Sequence, residues 1–290
     1  MQVTPTESTS IPRNGALPDH DQIERSHSAL SGEEQVSALV SQLNKYGPKE
    51  GLPGEAAFDA IVFRLAAACL APHADDLFDE VEALRASGLS ARTVAETLVP
   101  HVAQVLGDRW CDDTLGFAHV TIGCARLQRL LRSLGPDWYG TPREEEPRLR
   151  ILLIVPDGMN HTLGGLVMTG KLRRLGYDVR SVMGENSHSI TEVVAEWSFD
   201  LVLISASGSE SLEQISELVE IARTASPGRT CIAIGGTILQ GDGAERHRIK
   251  ARTGADLVTN DLSEALRRCK KTSLQSVNPS IGPLGPEGRG

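Results

Sequence analysis

Residues 151–155 read Ile151-Leu152-Leu153-Ile154-Val155, and the chain continues Pro156-Asp157-Gly158-Met159-Asn160-His161-Thr162-Leu163-Gly164-Gly165. An apolar run this short, without polar alternation, fits a strand covered on both faces, as in a parallel sheet. The signature returns at Leu201–Ile204 and Cys231–Ile234, and more weakly at Val179–Val182 and Asp256–Val258. Helical periodicity fills the gaps, over 163–175, 189–197, 210–224, about 244–250 and 261–269. Five short strands alternating with helices predict a doubly wound parallel sheet of the flavodoxin, Rossmann-like type over residues 149–270.

Outward from this sheet, residues 136–148 are rich in Pro, Gly and charge and read as a linker. Residues 55–135 carry a helical period throughout. Phe58, Ile61, Val62, Leu65 and Cys69 form one stripe, and Leu77, Phe78, Val81 and Leu84 form a second that Gly88 closes. Ser90 caps a third stripe through Val94, Leu98, Val102, Val105 and Leu106, with a kink expected at Pro100. Phe117, Val120, Cys124, Leu127, Leu131 and Leu134 form the last, with Gly135-Pro136 expected to end it. Four amphipathic helices with short connections predict a helical bundle. Residues 31–54 hold a short helix opened by a Ser31/Glu34 capping box, then a Gly/Pro linker; residues 1–30 and 271–290 read as disordered tails.

The chain has 290 residues, 40% of them hydrophobic, which suits two globular domains. No apolar run approaches the ~18 residues of a membrane span, and no signal peptide is visible. Five cysteines without a CxxC pair argue against a disulfide framework or zinc site, so the cytoplasm is the expected compartment. A net charge of −9 argues against a self-sufficient DNA binder.

In an open parallel sheet, ligands bind beyond the carboxyl ends of the strands, at the switch point between strands one and three. The loop after strand one lacks GxGxxG, which disfavours NAD, and places His161 just before a helix. Ser205-Ala206-Ser207-Gly208 follows strand three and Gly235-Gly236 follows strand four. Glycines at three neighbouring strand ends let a large flat or elongated ligand lie against backbone. On its own, His161 fits an ordinary turn residue at a helix start; the converging glycines make it a candidate ligand.

These residues resemble the cobalamin-binding domain family. Its marks are D-x-H-x-x-G after strand one, a small Ser-containing motif after strand three and Gly-Gly after strand four. His161-Thr162-Leu163-Gly164, Ser205 with Ser207, and Gly235-Gly236 supply them. The resemblance implies base-off cobalamin, with His161 coordinating cobalt and the nucleotide tail lying among Met159, Asn160, Thr162, Leu163, Gly164, Ser205, Ser207, Gly208, Gly235 and Gly236. One position departs from the pattern: Met159 stands where the family has the Asp that orients the histidine. A partner of that kind tunes a ligating histidine, so its loss argues against a turnover enzyme and not against binding.

The helical half carries Gly107-Asp108-Arg109-Trp110-Cys111-Asp112-Asp113-Thr114-Leu115-Gly116-Phe117-Ala118-His119, with Arg126-Leu127-Gln128 beyond. Light-sensing cobalamin repressors have Trp, nine residues, then Glu-His; here that place holds Val120-Thr121. The stretch is similar to the AerR/PpaA type, cobalamin-binding antirepressors of photosystem genes. Over residues 55–270 the resemblance implies a non-enzymatic, light-responsive regulator engaging a PpsR/CrtJ-type repressor, touching DNA only through that partner. It implies a hydroxo or aquo rather than adenosyl upper ligand. Trp110 then faces the corrin or sits in the core, and His119 lies near the upper face or on the helix surface. The alternatives are a corrinoid shuttle for methyl transfer, and a flavodoxin-like sheet holding a flavin or no cofactor.

Overall fold

The computed structural model describes residues 40–41, 43–44, 55–140, 149–156, 162–185, 187–208, 211–225, 230–240 and 243–268. The capping box, both tails, the segment 141–148 and the loop 157–161 lie outside them. The chain divides into two compact units, Met1–Trp138 and Tyr139–Gly290.

The first unit is helical: α1 Glu55–Leu70, α2 Asp76–Ala86, α3 Val99–Cys111 and α4 Phe117–Tyr139. α1 packs against α2 and α3, and its stripe from Phe58 to Cys69 is buried as its spacing requires. Gly88 (φ +99°) ends α2 with Leu89 N–H on Leu84 O and Gly88 N–H on Arg85 O, a closure that needs the left-handed conformation. Ser90 Oγ then accepts from Thr93 N–H at 3.0 Å.

The two expected breaks take specific forms. Ahead of Pro100 the backbone stays helical from Thr93 through Val99, and the irregularity is a π turn at Val94–Leu98, within one turn of the proline. Gly135-Pro136 ends the regular run of α4 as expected. Gly135 takes a non-helical φ/ψ (26°, −119°) and the helix resumes to Tyr139, held by buried Trp138, whose Nε1–H donates to Glu96 Oε1 at 3.1 Å. The α4 stripe is also shorter than its period suggests. Leu127, Leu131 and Leu134 are buried with Leu130, whereas Phe117 is 52% exposed.

In the second unit, β1 Arg150–Val155, β2 Asp178–Met183, β3 Leu201–Ser205, β4 Cys231–Gly235 and β5 Leu257–Val258 form one parallel sheet in the order β2-β1-β3-β4-β5. This is the flavodoxin-like order, with its switch point between β1 and β3. α5 Thr162–Arg174 follows β1, α6 Ser187–Glu196 follows β2, α7 Leu212–Ala225 follows β3, α8 Gly243–Thr253 follows β4, and a helix over 262–268, α9, follows β5.

Ile151 through Val155 are all buried because β1 is covered on both faces. Leu152 and Ile154 join Ile190, Val194, Ile215, Leu218 and Ile249 in one core, under α6, α7 and α8. Ile151 joins Leu172, Val179, Ala265 and Leu266 in the other, under α5 and α9. β5 is shorter than its pattern predicted: Asp256 N–H donates to Ile232 O at 2.9 Å, but Ile232 N–H is taken by Asp256 Oδ2 at 2.8 Å, which also meets Arg223 at 3.0 Å.

Candidate ligand floor at the carboxyl ends of the strands

Beyond β3, β4 and β5 the chain builds a floor from backbone. Ala206 N–H donates to Gly235 O at 2.8 Å, Ile238 N–H to Ala206 O at 3.2 Å, and Thr259 N–H to Ile234 O at 2.9 Å. Gly236 has φ +106°, and a Cβ there would fall against Ala206 O and 3.0 Å from Ala206 N. At Gly235 a Cβ would lie 2.8 Å from Thr259 O. Both glycines are thus dictated by neighbouring backbone, which cannot rotate away as a side chain can.

Asn260 fixes this floor. Its Oδ1 accepts from Gly236 N–H at 2.7 Å and its Nδ2 donates to Gly236 O at 3.2 Å. A side-chain amide has the acceptor and donor needed to bracket the N–H and C=O of one residue in this way. Thr259 supports it from below: its hydroxyl donates to Glu264 Oε2 at 2.7 Å and accepts from Asp261 N–H at 3.0 Å. Sequence reasoning stopped at β4 and missed Thr259 and Asn260. The available signal was a Thr-Asn pair directly after a strand, in line with Gly-Gly on its neighbour.

Ser205 ends β3 half-buried, Ser207 is buried, and Gly208 is exposed with open space around it. Thr162 opens α5, Leu163 is buried, and Gly164 is exposed. The next glycine carries the packing: a Cβ on Gly165 would lie 2.7 Å from Val155 Cγ2 and 3.1 Å from Met183 Cε. The structure therefore brings Ser205, Ser207, Gly235 and Gly236 together at neighbouring strand ends. Met159, Asn160 and His161 lie outside the described residues.

Trp110 and His119 belong to the helical unit. Trp110, 41% exposed, is not a core residue; it stands 6.4 Å from the Phe117 ring at a tilt of 57°. The turn between them fixes that pair. Asp113 takes φ +57°, Thr114 N–H and its hydroxyl both donate to Arg109 O, and Leu115 is buried beneath. His119 is exposed in the first turn of α4. Arg126 holds the end of α1, donating to Cys69 O at 2.9 Å and Ala71 O at 2.6 Å.

The side chains described at the strand ends are chiefly neutral and polar: Ser205, Ser207, Thr237, Thr259 and Asn260. Of the carboxylates there, Glu264 is tied to Thr259, and Asp261 to Ser263 N–H and Arg267. Burial pushes the Cys69 thiol up to about 12 and raises that of Cys231, so neither offers a thiolate at neutral pH. Among the described residues no cluster of His, Cys, Asp or Glu is suited to a metal. Such a floor lets a bound group approach the backbone closely.

No family model matches the chain. The monomethylamine corrinoid protein of Methanosarcina barkeri superposes with a TM-score of 0.57 over 76% of this chain and 99% of that one, at 14% identity. The fold is therefore that of a corrinoid protein. A cobalamin-binding protein from Desulfitobacterium hafniense DCB-2 aligns over 74% of this chain and 98% of that one, at 17% identity, with a TM-score of 0.37 that adds nothing to that statement. Among the described residues no helix is long and apolar enough to cross a membrane. In sequence, 189 residues are 38% identical to an uncharacterized 20.5 kDa protein of Rhodobacter capsulatus, over 65% of this chain and 95% of that protein. The chain belongs to the family of that protein, the one from the bchF-crtJ intergenic region of Rhodobacter capsulatus.

Proposed function

We propose that this protein binds cobalamin at the carboxyl ends of its strands and acts as a light-responsive antirepressor, with no turnover of its own. The observation that carries the binding is the Gly235-Gly236 floor, closed to any side chain by Ala206 and Thr259 backbone and pinned by Asn260. A corrinoid nucleotide tail is long, carries amides and must lie close to backbone, which fits a neutral floor of this kind. His161, at the end of the loop after β1, is the cobalt ligand in this scheme; a neutral imidazole suits such a metal. Bound cobalamin would supply a light-absorbing centre, with the hydroxo or aquo form favoured over adenosyl. Ser205, Ser207 and Gly208 line the tail, and Gly164 leaves room beside it. The helical unit carries the further candidate residues Trp110 and His119, both exposed on it.

The partner is a PpsR/CrtJ-type repressor, and the support is genomic: the family's Rhodobacter capsulatus member is encoded between bchF and crtJ. Two states of differing affinity for the repressor constitute the switch. The protein acts in the cytoplasm and meets DNA through that repressor. Met159, in place of the acid that orients the histidine in turnover proteins, sets this protein apart from a methyl shuttle.

The test is capture of a purified CrtJ-type repressor by the cobalamin-loaded protein in darkness and in light. Light-dependent capture that His161→Ala abolishes is the expected result. Capture independent of both cofactor and light overturns the switch, and methyl transfer to a partner enzyme overturns the regulator in favour of a shuttle.

A further inference from the structure

β2 and β5 are the two edges of the sheet, and they differ in length, six residues against two. The ladder between β1 and β2 begins with Asp178 N–H on Leu149 O and closes with Gly184 N–H on Val155 O. Even-numbered residues of β2 therefore face β1, and Val179, Ser181 and Met183 turn their N–H and C=O groups outward. At the amino end this edge is covered: the Arg173 guanidinium donates to Val179 O at 3.3 Å. At Ser181 and Met183 a cleft of about 470 Å³ opens instead. Leu166 of α5 and Val193 of α6 both line it, and those helices cover opposite faces of the sheet, so the cleft straddles the edge itself.

The charge of the cleft is one-sided. Glu185 and Glu192 line it, while the one cation on its wall, Arg180, is already engaged by Glu196 at 3.7 Å and by the Trp197 ring at 5.5 Å. Glu192 faces His188 at 3.5 Å, a charge pair only when the imidazole is protonated. Natural sheets shield long edges with charge, bulges or covering chain; among the described residues the shield here stops halfway.

We propose that this half of the β2 edge is a docking site for an extended, Lys- or Arg-bearing segment of a partner protein. The segment adds as a sixth strand, exchanging backbone hydrogen bonds with Ser181 and Met183. Its apolar side chains enter between Leu166 and Val193 and its cations meet Glu185 and Glu192. The site is separate from the ligand floor and its occupation does not depend on a bound corrin.

The experiment titrates acetyl-Val-Lys-Val-Lys-Val-Lys-amide into the full-length protein, without and with cobalamin, while following backbone amides by NMR. The expected result is a shift of the Ser181 and Met183 amides, slowing of their hydrogen exchange, and about tenfold weaker binding in Ser181→Pro, which removes an outward N–H without touching the β1 ladder. Because proline also restricts the strand, the double variant Glu185→Lys/Glu192→Lys, exposed and foldable, is the second arm; it is expected to abolish the response. An equal response to acetyl-Val-Glu-Val-Glu-Val-Glu-amide, a response mapped elsewhere, or an undiminished response in the Glu→Lys variant overturns the proposal. So does concentration-dependent broadening of the two amides without peptide, which means a second copy occupies the edge.

Discussion

Two Gly-Gly pairs stand near the carboxyl end of the sheet, Gly164-Gly165 in the first turn of α5 and Gly235-Gly236 at the end of β4, and they are not equivalent. At Gly235-Gly236 both positions are closed by backbone atoms, Thr259 O for the first and Ala206 O and N for the second. At Gly164-Gly165 only the second is closed, and by side-chain tips, Val155 Cγ2 and Met183 Cε. Backbone in a parallel sheet cannot yield without breaking ladder bonds, whereas a Val or Met rotates. The first pair therefore leaves one glycine, Gly164, whose added Cβ would meet no atom of the described residues, and the proposed function sets it beside the ligand.

Substitution by alanine should separate the four positions. Gly236→Ala is expected to be the most damaging, about 2–6 kcal/mol, because positive-φ strain and a backbone clash add. Urea unfolding of the full chain reads it, and a loss under 1 kcal/mol would break the distinction between the pairs. Gly235→Ala has the clash without the positive φ and should lose about 1–3 kcal/mol in the same assay. Asn260→Ala, which unpins the Gly236 peptide, should lose about 1 kcal/mol, with amide exchange at Gly236 rising. Gly165→Ala should cost about 1 kcal/mol, its overpacking partly offset by better helix propensity. Gly164→Ala is the sharpest of the set, because stability should hold or rise by about 0.5 kcal/mol while cobalamin retention falls. Unchanged retention would remove Gly164 from the ligand surface.

The sheet was legible because its signal is dense. Ile151 to Val155 is buried on both faces, and no other local structure accounts for such a run between turn residues. The glycines after β1 and β4 were legible as positions, but their inequality was not, since it depends on Ala206, Thr259 and Met183, which are remote in sequence. Asn260 escaped for the same reason. Its role is a pairing across 24 residues, and β5, two residues long, gave no frame on which to place it. In the helical unit periodicity found the buried faces but overran them. Phe117 keeps the spacing of the α4 stripe yet lies in solvent, because the Asp113 turn sets it beside Trp110. At Pro100 an irregularity was legible but its form was not, since no sequence period announces the π turn at Val94–Leu98.

The central claim is that these strand ends hold cobalamin through His161. The direct measurement is the visible spectrum of the purified full-length protein and of His161→Ala after mixing with hydroxocobalamin and removing excess by gel filtration, in darkness and after illumination. The account predicts corrin absorption that stays with the wild-type protein and changes on illumination, and that His161→Ala loses. A wild-type protein that emerges colourless, or a His161→Ala variant that keeps the full spectrum, would contradict it.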